Sequence, residues 1–204
     1  MINLLLLGLL PTTECLPLTD AEPLNAGDAF HYEGTMNGQP LSIVMRMEIV
    51  SMRGLQTTFR QGGGPSDDAI EMSQGTPIRG ISGPTFPRSV SGGGRDRQWS
   101  YSPDPESVLA SLQPGESREI FVHERSSAAG ERYQIELTFT GCESLDIDGS
   151  PRPANVYRII QMSDDEQILQ NREVWLDRDS GWWLGETDHV SGVETFASSA
   201  FTSD

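Results

Sequence analysis

The sequence of 204 residues contains no lysine: all fourteen basic residues are arginines, set against thirty aspartates and glutamates. The absence of lysine excludes Schiff-base chemistry, a lysine general base and the lysine of a phosphate-binding loop. The net charge of −16 repels nucleic acid and anionic membrane surfaces, because both are themselves negatively charged. We therefore expect neither nucleic acid nor an anionic membrane surface as a partner.

Cysteine and histidine are scarce, with two and three copies. Neither C-x-x-C nor H-x-x-x-H spacing occurs, so the sequence carries no zinc signature. No G-x-S-x-G motif marks a serine hydrolase. The turn Asp146–Gly149 is similar to the start of a calcium loop, but Tyr157 stands where an EF-hand requires a bidentate acid. We predict no metal, no cofactor and no catalytic residue, and we favour a protein that is not an enzyme.

No apolar run reaches the ~20 residues that a membrane-spanning helix needs. The run Leu4–Leu10 is shorter and resembles the hydrophobic region of a secretory signal, and Thr19–Ala21 offers small residues at cleavage-type positions. We predict that residues 1–21 form an export segment and that the protein is periplasmic or envelope-associated. A buried N-terminal strand is the alternative.

Cys15 follows this apolar run, where a lipid anchor is attached in bacterial lipoproteins. Glu14 stands where lipidation normally requires a small residue, which argues against an anchor. Cleavage after Ala21 would leave Cys142 as a lone thiol that behaves as a small buried apolar side chain. A Cys15–Cys142 disulfide can form only if Cys15 survives processing.

The chain does have clear period-two alternation of apolar and polar residues. Residues from Leu41 to Ile49 are apolar at every second position, and Ile135, Leu137 and Phe139 alternate with polar neighbours. That period is typical of a half-buried strand. Turn signals whose glycines accept positive φ at little cost separate such segments: Asn37-Gly38, Ala129-Gly130, Asp148-Gly149 and Asp179-Ser180-Gly181.

One short helix is predicted near residues 105–112, because Asp104 can cap its N-terminus and Pro105 suits its first position. The 21 glycines and 13 prolines favour short strands and turns over long helices. The expected fold class is all-β: an antiparallel, strongly curved sheet or barrel-like meander, in one domain over residues 22–204. A faint repeat suggests two similar halves, 24–103 and 112–190.

The second half of the chain contains Gly141-Cys142-Glu143, then Pro153–Ile159, then an aromatic hairpin over Val174–Trp182. Over residues 110–187 this order resembles β-rich exported proteins of Gram-negative bacteria that are grouped as domains of unknown function. The resemblance implies a β-rich fold and an envelope location, and it implies no activity.

A cluster of aromatic residues near the end of the chain supplies the candidate site. If Trp182 and Trp183 both lie in one strand, they face opposite sides, so we expect one in the core and the other exposed or lining a pocket. Methionines are compatible with an adaptable apolar lining, although core packing also explains them. The candidate ligand-binding residues are Trp175, Trp182, Trp183, Tyr157, Met45 and Met47.

The leading hypothesis is a non-catalytic exported β-domain that binds an apolar small molecule or an envelope protein. A first alternative is a hydrolase that acts on envelope carbohydrate or peptide through carboxylates near the tryptophans. A second alternative is a structural or assembly partner that pairs through an exposed strand edge around residues 69–94.

Overall fold

The structure is a computed structural model that describes residues 15–18, 27–51, 54–62, 70–73, 85–91, 97–126 and 130–202. For most of residues 41–73 it describes the backbone alone. Within these ranges the chain forms twelve strands and one helix: β1 (Asp28–Met36), β2 (Gln39–Ser51), β3 (Gly54–Gly62), β4 (Ile70–Ser73), β5 (Ser89–Ser91), β6 (Arg97–Ser102), α1 (Pro105–Ser111), β7 (Ser117–Ser126), β8 (Gly130–Ile147), β9 (Ser150–Ser163), β10 (Ile168–Asp177), β11 (Trp183–Asp188) and β12 (Val193–Thr202).

The strands form one antiparallel meander in which each strand pairs with the next along the chain, and β12 pairs with β1. The predicted all-β fold, an antiparallel and strongly curved meander, is confirmed. Register shifts interrupt several ladders, for example between His31 and Tyr32 and between Phe139 and Gly141. Such bulges bend a strand and increase its twist, which is how a sheet of long strands curves this strongly.

Turn chemistry explains why the hairpins form where they do. Asn37 and Gly38 have φ of 52° and 73°, and Asp148 and Gly149 have φ of 56° and 74°. Two consecutive residues with positive φ are the signature of the two-residue turn whose twist matches that of the flanking strands. Both predicted hairpins are confirmed, whereas the predicted turn at Ala129-Gly130 lies partly outside the described residues, and Gly130 begins β8.

The predicted helix is confirmed as α1. The Asp104 carboxylate accepts a hydrogen bond from the Ser107 backbone amide at 3.3 Å, and Pro105 occupies the first turn. Its apolar face is buried, since Val108 and Leu109 are 5% and 0% exposed. The helix therefore covers one part of the core and does not extend into solvent.

The core lies on the concave face of β7–β11 and β1. The predicted inward residues Ile135, Leu137 and Phe139 are at most 4% exposed, and Tyr157 and Ile159 of β9 pack beside them. The alternation in β8 is thereby confirmed. Strands β5 and β6 were not expected from the sequence, because their short polar segments lack strong alternation.

One expectation about the hairpin of β10 and β11 needs correction. Trp182 and Trp183 are both buried, at 0% and 4% exposure, so the expectation that one ring is exposed is wrong. The physical reason is that Trp182 lies in the turn that precedes β11, and a register shift follows Trp175. The period-two rule applies only within one regular strand, and here it is broken by a turn and a bulge.

The segment Cys15–Leu18 is bound to the domain. Cys15 forms a disulfide with Cys142, the Asn155 amide donates to the Leu16 carbonyl at 2.8 Å, and the Leu18 side chain is 1% exposed in the core. A sulfur in a disulfide is not available for a thioether to lipid, so the two uses of Cys15 exclude each other. The expected cleavage after Ala21 would remove all three contacts, and it stays a prediction, as does the division into two similar halves.

No helix among the described ranges combines the length and the apolar character that crossing a bilayer requires.

Candidate functional site

The predicted aromatic site is built around Tyr32 of β1. The Trp182 indole donates a hydrogen bond to the Tyr32 hydroxyl at 2.7 Å, and that hydroxyl donates to the Trp183 carbonyl oxygen at 2.7 Å. The Tyr32 ring stacks on Trp183 with ring centroids 4.5 Å apart, and Phe30 stacks on Trp182 at 6.2 Å. This network ties β1 to the turn before β11 and to the first residue of β11.

Burial strongly disfavours ionisation of the tyrosines in this network. Desolvation raises the pKa of Tyr32 well above its usual value, although the hydrogen bond from Trp182 acts in the opposite direction. Burial likewise raises the pKa of Tyr157 to about 12, opposed by a hydrogen bond from Asn155. Both phenols therefore stay neutral across physiological pH, and they serve as hydrogen-bonding core residues.

Trp175 and Tyr157 also pack in the core. Trp175 makes an edge contact with Phe196 at 4.9 Å and donates its indole N–H to the Glu143 carboxylate. Tyr157 stacks on Phe139 at 4.8 Å. The four predicted aromatic residues thus belong to one buried core cluster. The side chains of Met45 and Met47, in β2, lie outside the described part of the structure.

The carboxylates beside the tryptophans have structural partners. Asp177 is 1% exposed, receives hydrogen bonds from Arg152 at 2.8 Å and Ser180 at 3.0 Å, and accepts the Asp179 amide at 3.1 Å. These contacts hold the predicted turn between β10 and β11. A carboxylate engaged in this way is a turn anchor, so this geometry does not favour the hydrolase alternative.

A second location, which sequence analysis missed, is an open groove on the outer face of the sheet. Phe121 of β7 lies opposite Gln134 of β8, Gln134 lies opposite Met162 of β9, and Met162 lies opposite Ile168 of β10. Directly opposed residues on one face of neighbouring strands form a continuous row of side chains. Phe121 and Ile168 are 58% and 56% exposed, which is unusual for large apolar residues arranged in a row.

The hairpin that joins β9 to β10 forms one wall of this groove. The Ser163 amide donates to the Gln167 carbonyl at 3.0 Å, and Glu166 adopts a positive φ of 61°. Asp164, Asp165 and Glu166 are three consecutive exposed acids on this turn. The groove therefore has an apolar floor and an acidic wall.

The groove has a volume of about 1060 Å³, just above the ~300–1,000 Å³ of typical ligand pockets. Three acids and one arginine contribute to its lining, and the acids are Glu119, Asp164 and Glu166. The sequence contains one indication of this groove. Phe121 stands between the inward residues Ile120 and Val122, where alternation calls for a polar residue.

Among the residues that the structure describes, no three histidine, cysteine or acidic side chains gather in a way that could hold a metal ion.

No protein-family model matches this chain, and no curated protein matches it. The solved structure of the hypothetical lipoprotein YmcC from Escherichia coli (K12) superposes with a TM-score of 0.51 at 11% identity, covering 90% of this chain and 91% of that one. This chain shares that fold, and the fold implied by the sequence resemblance is confirmed.

Two further structures give lower scores, from which we infer nothing more. MucB has a TM-score of 0.46 at 17% identity over 92% of this chain and 56% of that one. A Bacteroides fragilis protein with a YmcC-like fold has a TM-score of 0.43 at 9% identity over 90% of this chain and 100% of that one.

Proposed function

We propose that this protein is a non-catalytic binding domain of the bacterial cell envelope that holds a basic, apolar segment of a protein partner in its outer groove. The observation that carries the proposal is the cross-strand row of Phe121, Met162 and Ile168 beneath an acidic turn. An exposed apolar row of this kind is typical of an interaction surface.

Charge determines which partner fits. The acids Glu119, Asp164 and Glu166 outnumber the single arginine, Arg132, in the lining of the groove, and the whole chain carries −16. A segment that combines apolar side chains with arginine or lysine would match both the floor and the wall. An acidic partner or an anionic lipid surface would be repelled by the same charges.

Three observations support the envelope location. The run Leu4–Leu10 resembles a secretory signal, and the Cys15–Cys142 disulfide suits an oxidising compartment outside the cytoplasm. A protein whose fold this chain shares, YmcC from Escherichia coli (K12), is a hypothetical lipoprotein.

The alternatives from the sequence are less well supported. Pairing through an edge around residues 69–94 would need a free strand, but β4 and β5, the described strands there, each have neighbours on both sides. An apolar small molecule held by the aromatic cluster would need open space beside Trp175, Trp182 and Trp183, and these side chains are at most 9% exposed. The outer groove offers the open apolar surface that the aromatic cluster does not.

The test uses two synthetic peptides, one of alternating leucine and arginine and one of alternating leucine and glutamate. We expect the arginine peptide to bind and the glutamate peptide not to bind, in fluorescence anisotropy at low salt. Phe121→Ala should weaken binding roughly ten-fold or more, since an aromatic side chain that becomes buried under the peptide carries a large share of the binding energy. Val190→Ala is the matched control, because Val190 is 55% exposed elsewhere on the surface.

The charge component has its own expected result. Replacing Asp164 and Glu166 with their amides should weaken binding and flatten its salt dependence, because screening acts on exposed charges. Equal binding of both peptides, or equal loss in the Val190→Ala control, would refute the proposal. Displacement of the arginine peptide by decanoate at low concentration would instead identify an apolar small molecule as the preferred occupant.

A further inference from the structure

The inner face of the sheet changes from apolar to polar at one end of the molecule. Along β7 the inward residues Ile120 and Val122 are followed by Glu124, and along β8 the inward residues Ile135, Leu137 and Phe139 are preceded by Tyr133. The polar continuation runs across neighbouring strands and consists of Glu124, Tyr133, Gln161, Gln170 and Arg172. A polar set at positions where the binary pattern calls for core residues is expected at a functional site rather than at a packing site.

The charges at this end are paired so that they cancel. Glu124 is 7% exposed, accepts the Trp99 indole N–H at 3.0 Å and forms an ion pair with Arg97 at 3.2 Å. Arg172 pairs with Glu186 at 3.2 Å. Two arginines and two glutamates make the cluster neutral, which satisfies the requirement that buried charges have partners.

Two buried polar atoms in the pocket nevertheless have no hydrogen-bond partner within the described protein. They are the Nε of Arg172 and the Oγ1 of Thr85, and both residues line the same cavity. Unpaired buried donors are rare because each forfeits its hydrogen bonds to water. A ligand that accepts hydrogen bonds from these two groups would remove that penalty.

Aromatic side chains wall the cavity. Trp99, Tyr101 and Tyr133 are partly buried and pack against the core, and the Tyr101 hydroxyl is fixed by a 2.8 Å hydrogen bond to the Pro87 carbonyl. Burial raises the pKa of Tyr133 above its usual value, so its hydroxyl remains a neutral donor and acceptor. The cavity holds about 230 Å³, which is smaller than the ~300–1,000 Å³ of pockets for drug-sized ligands.

We propose that this inner pocket binds a neutral, hydroxyl-rich ligand the size of one sugar ring. Neutrality is inferred because each charged residue of the lining already has an ion-pair partner, Arg97 in Glu124 and Arg172 in Glu186, which lies outside the lining. Small size follows from the volume. The donors and acceptors of this lining match hydroxyl groups, each of which both donates and accepts. An apolar molecule would leave the polar lining unpaired.

The experiment measures binding of D-glucose, D-galactose and N-acetyl-D-glucosamine to the whole protein by calorimetry, with L-glutamate and decanoate as contrasting probes. We expect saturable binding of at least one sugar with a Kd of about 1 mM or tighter. Arg172→Lys keeps the charge that faces Glu186 but removes the Nε–H, and we expect it to weaken binding about ten-fold or more, the range for a lost charge-assisted hydrogen bond. Thr85→Val should also weaken sugar binding.

The matched control is Arg158→Lys, because Arg158 lies exposed on the outer face of β9 and donates to Asn171 at 3.2 Å. Its sugar affinity should equal that of the wild type. Binding of none of the sugars, tighter binding of glutamate or decanoate, or equal losses in Arg172→Lys and Arg158→Lys would each overturn the proposal. A pocket that holds only water gives the first of these results.

The two sites can be tested independently of each other. Phe121→Ala should leave sugar affinity unchanged, and Arg172→Lys should leave affinity for the arginine peptide unchanged. If the sugars bind and the arginine peptide does not, the groove proposal is refuted and the inner-pocket proposal is not. If the arginine peptide binds and the sugars do not, the inner-pocket proposal is refuted and the groove proposal is not.

Discussion

Removal of the Cys15–Cys142 disulfide should destabilise the domain more than any single side-chain contact does. The bond joins residues separated by 127 positions and fixes the segment Cys15–Leu18 against the core. The perturbation is Cys142→Ala, with Cys15→Ala and the double variant as companions. Each of them removes the same covalent link and leaves the hydrogen bonds of the sheet intact.

The magnitude follows from the length of the closed loop. The chain-entropy relation gives roughly 5 kcal/mol for a loop of this size as an upper value, and removal of native disulfides typically costs about 2–5 kcal/mol. If the freed segment also detaches, Leu18, which is 1% exposed, loses a further ~2 kcal/mol of apolar burial. A free energy of unfolding of ~5–15 kcal/mol is usual for a domain, so the change is a large fraction of the total.

The assay is urea unfolding followed by tryptophan fluorescence, which reports the buried Trp175, Trp182 and Trp183. We expect both single variants to lose about 2–5 kcal/mol, and the double variant to lose no more than either single one, because all three lack the same bond. Ser144→Ala, an exposed position on β8, is the control and should change stability by less than about 0.5 kcal/mol. Thiol titration of the unreduced, denatured full chain, in which Cys15 is retained, should find no free thiol.

Three results would refute this reasoning. Two free thiols in the denatured wild-type protein would show that the bond is not made. Additive losses in the double variant would show that the cysteines act separately. A loss no larger than that of Ser144→Ala would show that the N-terminal segment contributes nothing to the fold.

Two further predictions concern the polar groups that the sheet buries. Tyr32→Phe leaves the Trp182 indole and the Trp183 carbonyl without their hydrogen-bond partner at 2.7 Å. It should lower the free energy of unfolding, measured in urea, by roughly 1–3 kcal/mol. The loss should exceed that of Tyr157→Phe, because the Tyr157 hydroxyl accepts a single hydrogen bond of 3.3 Å. Burial acts to raise the pKa of Asp188, but hydrogen bonds to its carboxylate outweigh this effect and hold the pKa below 3.8. The stability that the ionised Asp188 contributes is therefore present above pH 3.8 and is lost as the pH falls through the lower pKa of the folded state. Asp188→Asn should be less stable than the wild type at neutral pH, and the difference should vanish in acid. An unchanged pH profile would contradict the second prediction.

The elements that could be predicted from the sequence are those that form through interactions between residues close together in the chain. The β8 alternation of Ile135, Leu137 and Phe139, the Asn37-Gly38 turn and the Asp104-capped helix are all fixed by neighbours a few positions apart in the chain. The strongly curved antiparallel sheet followed from the number and spacing of such strands. Strand β6 was missed because its alternation is weak: Trp99 and Tyr101, which alternate with polar residues, carry polar groups themselves.

The candidate site depended on contacts that no local rule supplies. Trp182 and Trp183 were expected on opposite faces, but the turn before β11 brings both into the core beside Tyr32, which is about 150 residues away in sequence. The outer groove combines Phe121 with Ile168, and only the register of four strands makes them neighbours.

The amino-acid sequence alone determined the fold class, the acidic surface and the positions of the best turns, because alternation, net charge and positive-φ glycines act within a few residues. Only the tertiary structure decided that Cys15 bonds to Cys142, that the tryptophans are core residues, and that polar residues of β6–β10 enclose a pocket. Those outcomes depend on which strands become neighbours and on their register, and a register is set by the summed packing of a whole face rather than by any one segment.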